Sequence, residues 1–286
     1  MNYKTILLTG AALLISSQAM AAQDITGPFA VPGKGRIFSD TSIGMTRTKS
    51  KYTAPAILGS MKKADDGLYA AEFVEYGVTD QFSVNAAIGN EFDKEGHFNN
   101  DHNFYYDLGA KYNTRYNDVL FQAAVNYETW NPHDYYGHHS GQGNKWEKNL
   151  GLDLKVGLDL GNGITPYIIY HIDSVIDDNH RPLTQSISAG VHKFTGKWAL
   201  DGAVRYQWTK GYDDSLNDHA TYYGFEAKDT TETWLDASAD YYLKDNVVLG
   251  MYGSYLIDSH DRKWGALAKE HKNSDYEVGL HVKFLF

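Results

Sequence analysis

The chain has 286 residues, no cysteine, and 26 Lys and Arg against 36 Asp and Glu, which gives a formal net charge of −10. The absence of cysteine excludes a disulfide scaffold, a thiolate nucleophile and a Cys-ligated metal site. The acidic balance argues against nucleic-acid binding, and a mean hydropathy of −0.48 excludes a bundle of membrane helices.

The first 21 residues are predicted to be a secretory signal peptide. Lys4 supplies a positive charge, an apolar stretch follows over Ile6–Ser16, and Ala19-Met20-Ala21 has the small-x-small pattern of a cleavage site. The stretch is too short to cross a membrane as a helix. We therefore expect an exported protein, with residues 22–35 forming a short periplasmic segment.

From residue 36 onward, apolar and polar residues alternate in segments of about ten residues. In Asn149–Leu160, every second residue is Leu or Val, and the residues between them are Asn, Gly, Asp and Lys. Successive side chains of a strand face opposite sides, so this segment has one apolar and one polar face. A change of phase at Val74-Glu75 predicts a β-bulge. The predicted strands are Phe38–Arg47, Leu68–Tyr76, Phe82–Phe92, Phe104–Tyr112, Val119–Trp130, Asn149–Leu160, Ile164–Asp173, Ser186–His192, Trp198–Gln207, Leu235–Tyr241, Val247–Asp258 and Tyr276–Phe286.

The connections between these segments alternate between short and long. The short ones are Gly77–Asp80, Asn113–Asp118, Gly161–Gly163, Thr195–Lys197 and Lys244–Asn246, and six longer polar stretches separate them. Outer-membrane barrels have short periplasmic turns and long external loops. The sequence therefore predicts an all-β fold, a twelve-stranded antiparallel transmembrane up-and-down β-barrel over residues 36–286. A soluble sandwich or barrel, which would bury the apolar face inside, is the alternative.

The last strand resembles the assembly signature of bacterial outer-membrane proteins. Phe286 is preceded at alternate positions by Phe284, Val282, Leu280 and Val278. The resemblance implies recognition by the barrel-assembly machinery. It also implies a location in the outer membrane, in contact with lipid and lipopolysaccharide.

A second resemblance covers the N-terminal third. Pro32-Gly33-Lys34-Gly35 leads into the first strand, and Leu68–Phe73 runs into Glu75-Tyr76-Gly77-Val78-Thr79-Asp80. These segments resemble the family of outer-membrane transporters named for meta-pathway phenol degradation. The resemblance implies a barrel with a transport role, and it implies no site residues.

The polar faces of the predicted strands indicate an acidic lumen. Fourteen acids are predicted to face inward, namely Asp40, Glu72, Glu91, Asp107, Glu128, Asp153, Asp159, Asp173, Asp201, Glu232, Asp236, Asp240, Asp258 and Glu277. Four bases oppose them, namely Lys111, Lys155, Arg205 and Lys283. Acidic rings that line a wet pore favour cations. Candidate selectivity residues are Asp153, Lys155, Asp159, Asp173, Asp201, Arg205, Asp236, Asp240 and Asp258, with Asp201/Arg205 and Asp236/Asp240 at a constriction.

These features predict a passive channel for small polar or cationic solutes, with no catalytic centre and no cofactor. Three alternatives stay open: a lumen plugged by internal ion pairs, an adhesion barrel, and a surface lipase or protease. Of these, the enzyme lacks a convincing Ser-His-Asp arrangement in the sequence. His133, His138 and His139 are candidate metal ligands in a predicted loop, although their spacing is not that of a defined zinc motif.

Overall fold

A computed structural model describes residues 24–53, 60–93, 102–130, 147–176, 183–209, 230–259, 262–264 and 268–286. None of these residues belongs to a helix long and apolar enough to cross a membrane. The predicted signal peptide, residues 1–21, lies outside the described ranges, as do His133, His138 and His139.

The described residues form one antiparallel sheet that closes on itself. Its strands are β1 (Ile37–Thr53), β2 (Ser60–Gly77), β3 (Phe82–Asp93), β4 (His102–Tyr116), β5 (Val119–Trp130), β6 (Glu147–Leu158), β7 (Ile164–Val175), β8 (Leu183–Phe194), β9 (Trp198–Thr209), β10 (Thr230–Lys244), β11 (Val247–Ser259), β12 (Arg262–Trp264) and β13 (Ala268–Leu285). The three-residue β12 pairs with β13 beyond the end of β11. It therefore continues the place of β11 beside β13, and the ring has twelve strand positions. The predicted twelve-stranded antiparallel barrel is confirmed.

Closure depends on the first and last long strands. β1 pairs with β13 from Phe38 opposite Leu285 to Thr53 opposite Lys269, with one register shift between Lys49 and Ser50. Each of the twelve long strands that the structure describes pairs with a neighbour on both sides, as a sheet in a hydrocarbon environment requires.

The five short connections lie where the sequence predicts them and define a short-turn end of the barrel. Two of them contain non-glycine residues with positive φ, Asn117 at 53° and Asn162 at 52°. Asparagine tolerates this left-handed conformation better than most residues. At the opposite, long-loop end, β1, β2 and β13 extend well beyond the predicted strands. In these extensions apolar residues no longer recur at every second position, so the sequence pattern does not mark the true strand ends.

The outer wall of the barrel carries the apolar side chains. Leu108 is 61% exposed, Leu154 45% and Leu280 56%, and all three lie on the face predicted to be apolar. Aromatic pairs border this wall at the short-turn end, with Trp198 and Tyr241 at 4.9 Å and Phe284 and Phe286 at 5.9 Å between ring centroids. This arrangement contradicts the soluble alternative, which would turn the same side chains inward.

The predicted bulge at Val74-Glu75 is wrong, and with it the inward position of Glu72. β2 pairs with β1 without a register shift, which places Glu72 opposite Thr41 on the outer face. Ser39 Oγ and Thr41 Oγ1 donate hydrogen bonds to the Glu72 carboxylate at 3.0 and 2.5 Å. The inward residue is Glu75, which is 3% exposed and receives a hydrogen bond from Lys111 Nζ at 2.8 Å.

Asp258 also lies elsewhere than predicted. The pairing of β10 with β11 shifts register, so that Trp234 lies opposite Leu256 and Thr233 lies opposite Asp258. Thr233 is on the outer face, opposite Tyr206 of β9. The exposed Asp258 therefore shares that face, because the one-residue insertion at Ile257 reverses the alternation beyond it.

Asp159 lies beyond the end of β6, at the rim of the short-turn end. Its carboxylate accepts a hydrogen bond from Gly161 N at 3.0 Å and one from Arg115 Nη1 at 2.9 Å. The sequence predicts that Asp159 faces the lumen as a selectivity residue, whereas its carboxylate stabilises a turn at the rim.

The two faces of β6 predict opposite sensitivities to substitution. We expect Leu154→Arg, on the outer wall, to lower the free energy of unfolding by about 2–4 kcal/mol, because it places a charge in hydrocarbon. Asp153→Asn, on the inner wall, is expected to have a small effect. Urea unfolding of the protein refolded in lipid vesicles measures both, and equal losses would contradict the assigned faces.

Candidate functional site

The inner wall near β9, β10 and β11 brings together residues that the sequence placed at a constriction. Arg205 donates to both carboxylate oxygens of Asp236, from Nε at 3.0 Å and from Nη2 at 3.2 Å. Ser254 Oγ donates to Asp236 Oδ1 at 2.6 Å. The juxtaposition of Arg205 with Asp236 is thus present, and the two charges neutralise each other.

Asp240 is held by two cationic or potentially cationic side chains of the last strand. It is only 2% exposed, and His281 Nε2 and Lys283 Nζ both contact its carboxylate, the lysine at 3.1 Å. A buried carboxylate needs such partners because desolvation penalises its charge. Asp240 therefore contributes little free negative charge to the lumen.

Two further predicted lumen acids are also bonded to neighbours. Asp201 accepts a hydrogen bond from Tyr167 OH at 2.5 Å and lies 3.3 Å from His192 Nδ1. Asp153 lies 2.7 Å from His171 Nδ1. His171, His192 and His281 are expected from the sequence to face inward as largely neutral groups, and the structure shows that inward histidines and tyrosines serve as partners of the acids.

Residues 24–36, here called the N-terminal segment, lie across the short-turn end of the lumen. Asp24 Oδ2 is 2.7 Å from His192 Nε2 of β8, and Tyr242 OH of β10 donates to Asp24 Oδ1 at 3.1 Å. Ile25 N donates to Tyr242 OH at 2.9 Å. Ile25 is 5% exposed and packs in an apolar cluster that contains Tyr242 and Leu285. One end of the segment is thus fixed to β8 and β10.

The middle of the segment contacts the inner wall of β4 and β6. Asn113 Nδ2 donates to Phe29 O at 2.7 Å, Lys111 Nζ donates to Ala30 O at 3.3 Å, and Lys155 Nζ to Pro28 O at 3.5 Å. The Phe29 ring lies where a side chain on Gly157 would otherwise be. Lys155, predicted to line the pore, therefore holds the backbone of the segment instead.

The segment leaves the barrel along β2, where Gly35 N donates to Gly77 O at 2.7 Å. A cavity of about 190 Å³ separates the segment from the wall and is lined by charged side chains of both signs, among them Asp40, Glu75, Lys111 and Lys283. The sequence predicted only a short periplasmic segment here. The one available signal was a run of apolar residues, Phe29–Pro32, directly before the first strand.

The carboxylate of Asp24 is strongly held in its charged form. Burial by itself raises its pKa, but the hydrogen bond and charge of His192 together with the bonds from Thr26 outweigh burial and lower the pKa to about 2. The contact with His192 therefore persists far below the ordinary pKa of an aspartate.

The inner wall toward the long-loop end keeps unbalanced acids. Asp107 of β4 lies directly opposite Glu128 of β5, which lies opposite Asn149 of β6. Within the described residues, neither acid has an ion-pair partner, and Asp107 Oδ1 and Asn149 Oδ1 accept no hydrogen bond. Asp173, also inward, lies opposite Gly151 on the next pair of strands. Like charges in directly opposed positions destabilise a sheet, so this wall favours contact with water or cations.

Large inward side chains lie flat against the wall because glycines stand opposite them. Tyr69 lies opposite Gly44, Tyr105 opposite Gly89, Tyr252 opposite Gly279 and Tyr167 opposite Gly190. A Cβ on any of these four glycines would overlap the tyrosine ring. Four tyrosines are thereby kept out of the middle of the lumen, a feature that alternation alone could not reveal.

No group of three or more His, Cys, Asp or Glu side chains within the described ranges is arranged to hold a metal ion. The candidate ligands His133, His138 and His139 lie outside those ranges, so their role stays a prediction.

Comparison with known proteins identifies the fold. The barrel is similar to the crystal structure of an outer-membrane channel from Pseudomonas putida, with a TM-score of 0.63 and 12% identity over 91% of this chain and 98% of that chain. Weaker similarity is found to the NanC porin, with a TM-score of 0.48 and 9% identity over 84% of this chain and 98% of that one. The KdgM porin gives 0.47 and 6% over the same shares. No family model and no curated protein matches the sequence.

The glycines opposite the tyrosines give a direct test of how the tyrosine rings are held. In Gly89→Ala the added methyl group overlaps the ring of Tyr105, so we expect the ring to turn into the lumen and to lower the single-channel conductance. Gly89→Ala/Tyr105→Ala is expected to restore it. Gly202→Ala is the control, because nothing lies within 4 Å of a Cβ at that position. An unchanged conductance in Gly89→Ala would contradict the role of the glycine.

The low pKa of Asp24 predicts how the N-terminal segment responds to acid. Because docking lowers the pKa of Asp24 below its ordinary value of 3.8, the ionised carboxylate stabilises the docked segment at any pH above 3.8. This contribution is lost as the pH falls toward about 2. The chain has no cysteine, so a spin label on Ala30→Cys reports the segment alone. We expect an immobile label at pH 7 and pH 4 and a mobile label near pH 2, whereas Asp24→Asn frees it throughout. Release between pH 7 and pH 4 would contradict the assignment.

Proposed function

We propose that this protein is an outer-membrane channel for passive diffusion of small polar or cationic solutes, with its short-turn end at the periplasm. The proposal includes no catalytic centre and no cofactor. The apolar outer wall and the similarity in fold to an outer-membrane channel support the location.

The observation that carries the proposal is the arrangement of tyrosines over glycines on the inner wall. Rings that lie flat leave space in the middle of the barrel, whereas a barrel filled by its own side chains would turn them inward. Within the described residues, Asp107 and Glu128 have no ion-pair partner, and this also favours a hydrated lumen that attracts cations from the long-loop end.

The N-terminal segment supports the alternative of a plugged barrel. It crosses the short-turn end and is fixed to β8 and β10 by Asp24 and Ile25, and to β4 and β6 through Phe29. In the channel proposal this conformation is a closed or narrowed state. In the alternative, the segment is a permanent part of a structural barrel.

Planar-bilayer recording of the refolded protein distinguishes a channel from a permanently plugged barrel. We expect stepwise currents, with a larger conductance in Asp24→Asn, because the substitution removes the charge that His192 holds. Asp245→Asn is the matched control, since Asp245 is an exposed turn residue at the same end. Silence of the folded wild type and of Asp24→Asn would contradict a channel.

The same recordings in a salt gradient test the acidic wall. Asp107→Asn/Glu128→Gln is expected to shift the reversal potential toward lower cation preference, whereas Asp258→Asn, on the outer face, should not shift it. The selectivity predicted for Asp201, Asp236 and Asp240 stays a prediction. Their neutralisation is expected to shift the reversal potential less than Asp107→Asn/Glu128→Gln does, because each of these acids is already bonded to a neighbouring side chain.

A further inference from the structure

Three inward tyrosines and one glutamate lie on the inner wall on the two sides of the closure and are here called the tyrosine patch: Tyr69, Tyr105, Tyr252 and Glu277. Tyr69 OH donates a hydrogen bond to Glu277 Oε1 at 2.5 Å and is hydrogen-bonded to Tyr252 OH. These bonds link β2, β11 and β13 across the closure of the barrel. Tyr105 lies on β4, two residues from the unpaired Asp107 on the same inward face.

The hydroxyl groups of Tyr69 and Tyr252 form hydrogen bonds with other residues of the wall. A solute in the lumen therefore contacts mainly their aromatic rings. One face of each ring lies over glycine, Gly44 for Tyr69 and Gly279 for Tyr252. Both tyrosines are only half-buried, so part of each side chain is exposed. An aromatic face carries partial negative charge.

Two basic side chains of β13 near the patch are engaged with Asp240. His281 stacks beside Tyr252 at 5.4 Å and contacts Asp240, which Lys283 also contacts. The patch therefore offers π faces and carboxylate oxygens, and its charge is negative. This combination repels anions.

A cation over an aromatic ring already occurs inside this barrel. The guanidinium carbon of Arg205 lies 5.2 Å from the ring centroid of Trp234. Aromatic faces bind weakly hydrated cations with methyl groups well, as they do in sites for quaternary ammonium. A metal ion such as Na⁺ would first have to lose tightly held water.

We propose that the tyrosine patch is a subsite for methylated organic ammonium ions. This inference rests on the proposed channel function and names the class of solute that the lumen selects. The ring faces of Tyr69, Tyr105 and Tyr252 contact the methyl groups, and Glu277 with the nearby Asp107 balances the charge.

Binding of tetramethylammonium to the refolded protein in detergent tests the subsite without requiring current. Saturation-transfer NMR of the tetramethylammonium methyl protons gives the Kd for wild type, Tyr69→Leu and Tyr252→Leu. Each lost ring is expected to weaken binding by about two- to fivefold, whereas Tyr69→Phe and Tyr252→Phe, which keep the ring, bind nearly as wild type. Tyr206→Leu on the outer face is the control.

If the Tyr→Leu and Tyr→Phe variants weaken tetramethylammonium binding equally, the proposal is overturned, because the ring face would then not be the binding element. Absence of tetramethylammonium binding to the folded wild type would overturn it as well. Heat-modified gel mobility checks folding of every variant. If the Leu variants do not fold, Glu277→Gln replaces them, and it is expected to weaken binding.

Bilayer recordings separate this inference from the channel proposal. With tetramethylammonium chloride on one side and NaCl on the other, the reversal potential is expected to show preference for the organic cation, and Tyr69→Leu to reduce it. Currents of Na⁺ without such preference would support the channel and overturn the subsite. Binding without any current would support the subsite and overturn the channel.

Discussion

Pairing of β1 with β13 is the interaction on which the rest of the barrel depends. In hydrocarbon, a backbone amide or carbonyl without a partner costs several kcal/mol, so a sheet is stable there only as a closed ring. Closure also fixes the two faces. Once Phe38 lies opposite Leu285, alternate side chains of each strand are turned outward and those between them inward, except where a register shift such as the one at Ile257 reverses the order. The tyrosines, acids and histidines meet only because the ring is closed.

The inner wall divides into two parts with different electrostatics. At the short-turn end, carboxylates are matched by lysine, arginine, histidine and tyrosine, and the N-terminal segment adds both a carboxylate and backbone carbonyls to this balance. At the long-loop end, Asp107 and Glu128 face each other without cationic partners among the described residues. The carboxylates without cationic partners among the described residues thus lie away from the N-terminal segment, toward the long-loop end.

Much of the fold could be predicted because lipid and water impose a strict period of two. The Asn149–Leu160 pattern gave the correct faces of β6, and glycine and asparagine marked the short turns. Errors occurred where one residue departs from the period. Glu72 occupies an outer position that Ser39 and Thr41 make tolerable, and the insertion at Ile257 moves Asp258 outward. Contacts between distant residues, such as Asp24 with His192 and Tyr69 with Gly44, depend on closure and leave no local pattern.

The attachment of the N-terminal segment has a consequence for the order of assembly. Asp24 is separated by 168 residues from His192 and by 218 residues from Tyr242, so its binding site does not exist until β8 and β10 are in place. The N-terminal segment therefore finds its position only after these later strands have formed. The barrel therefore passes through a stage in which its short-turn end lacks the segment, and docking of the segment is a separate, late event.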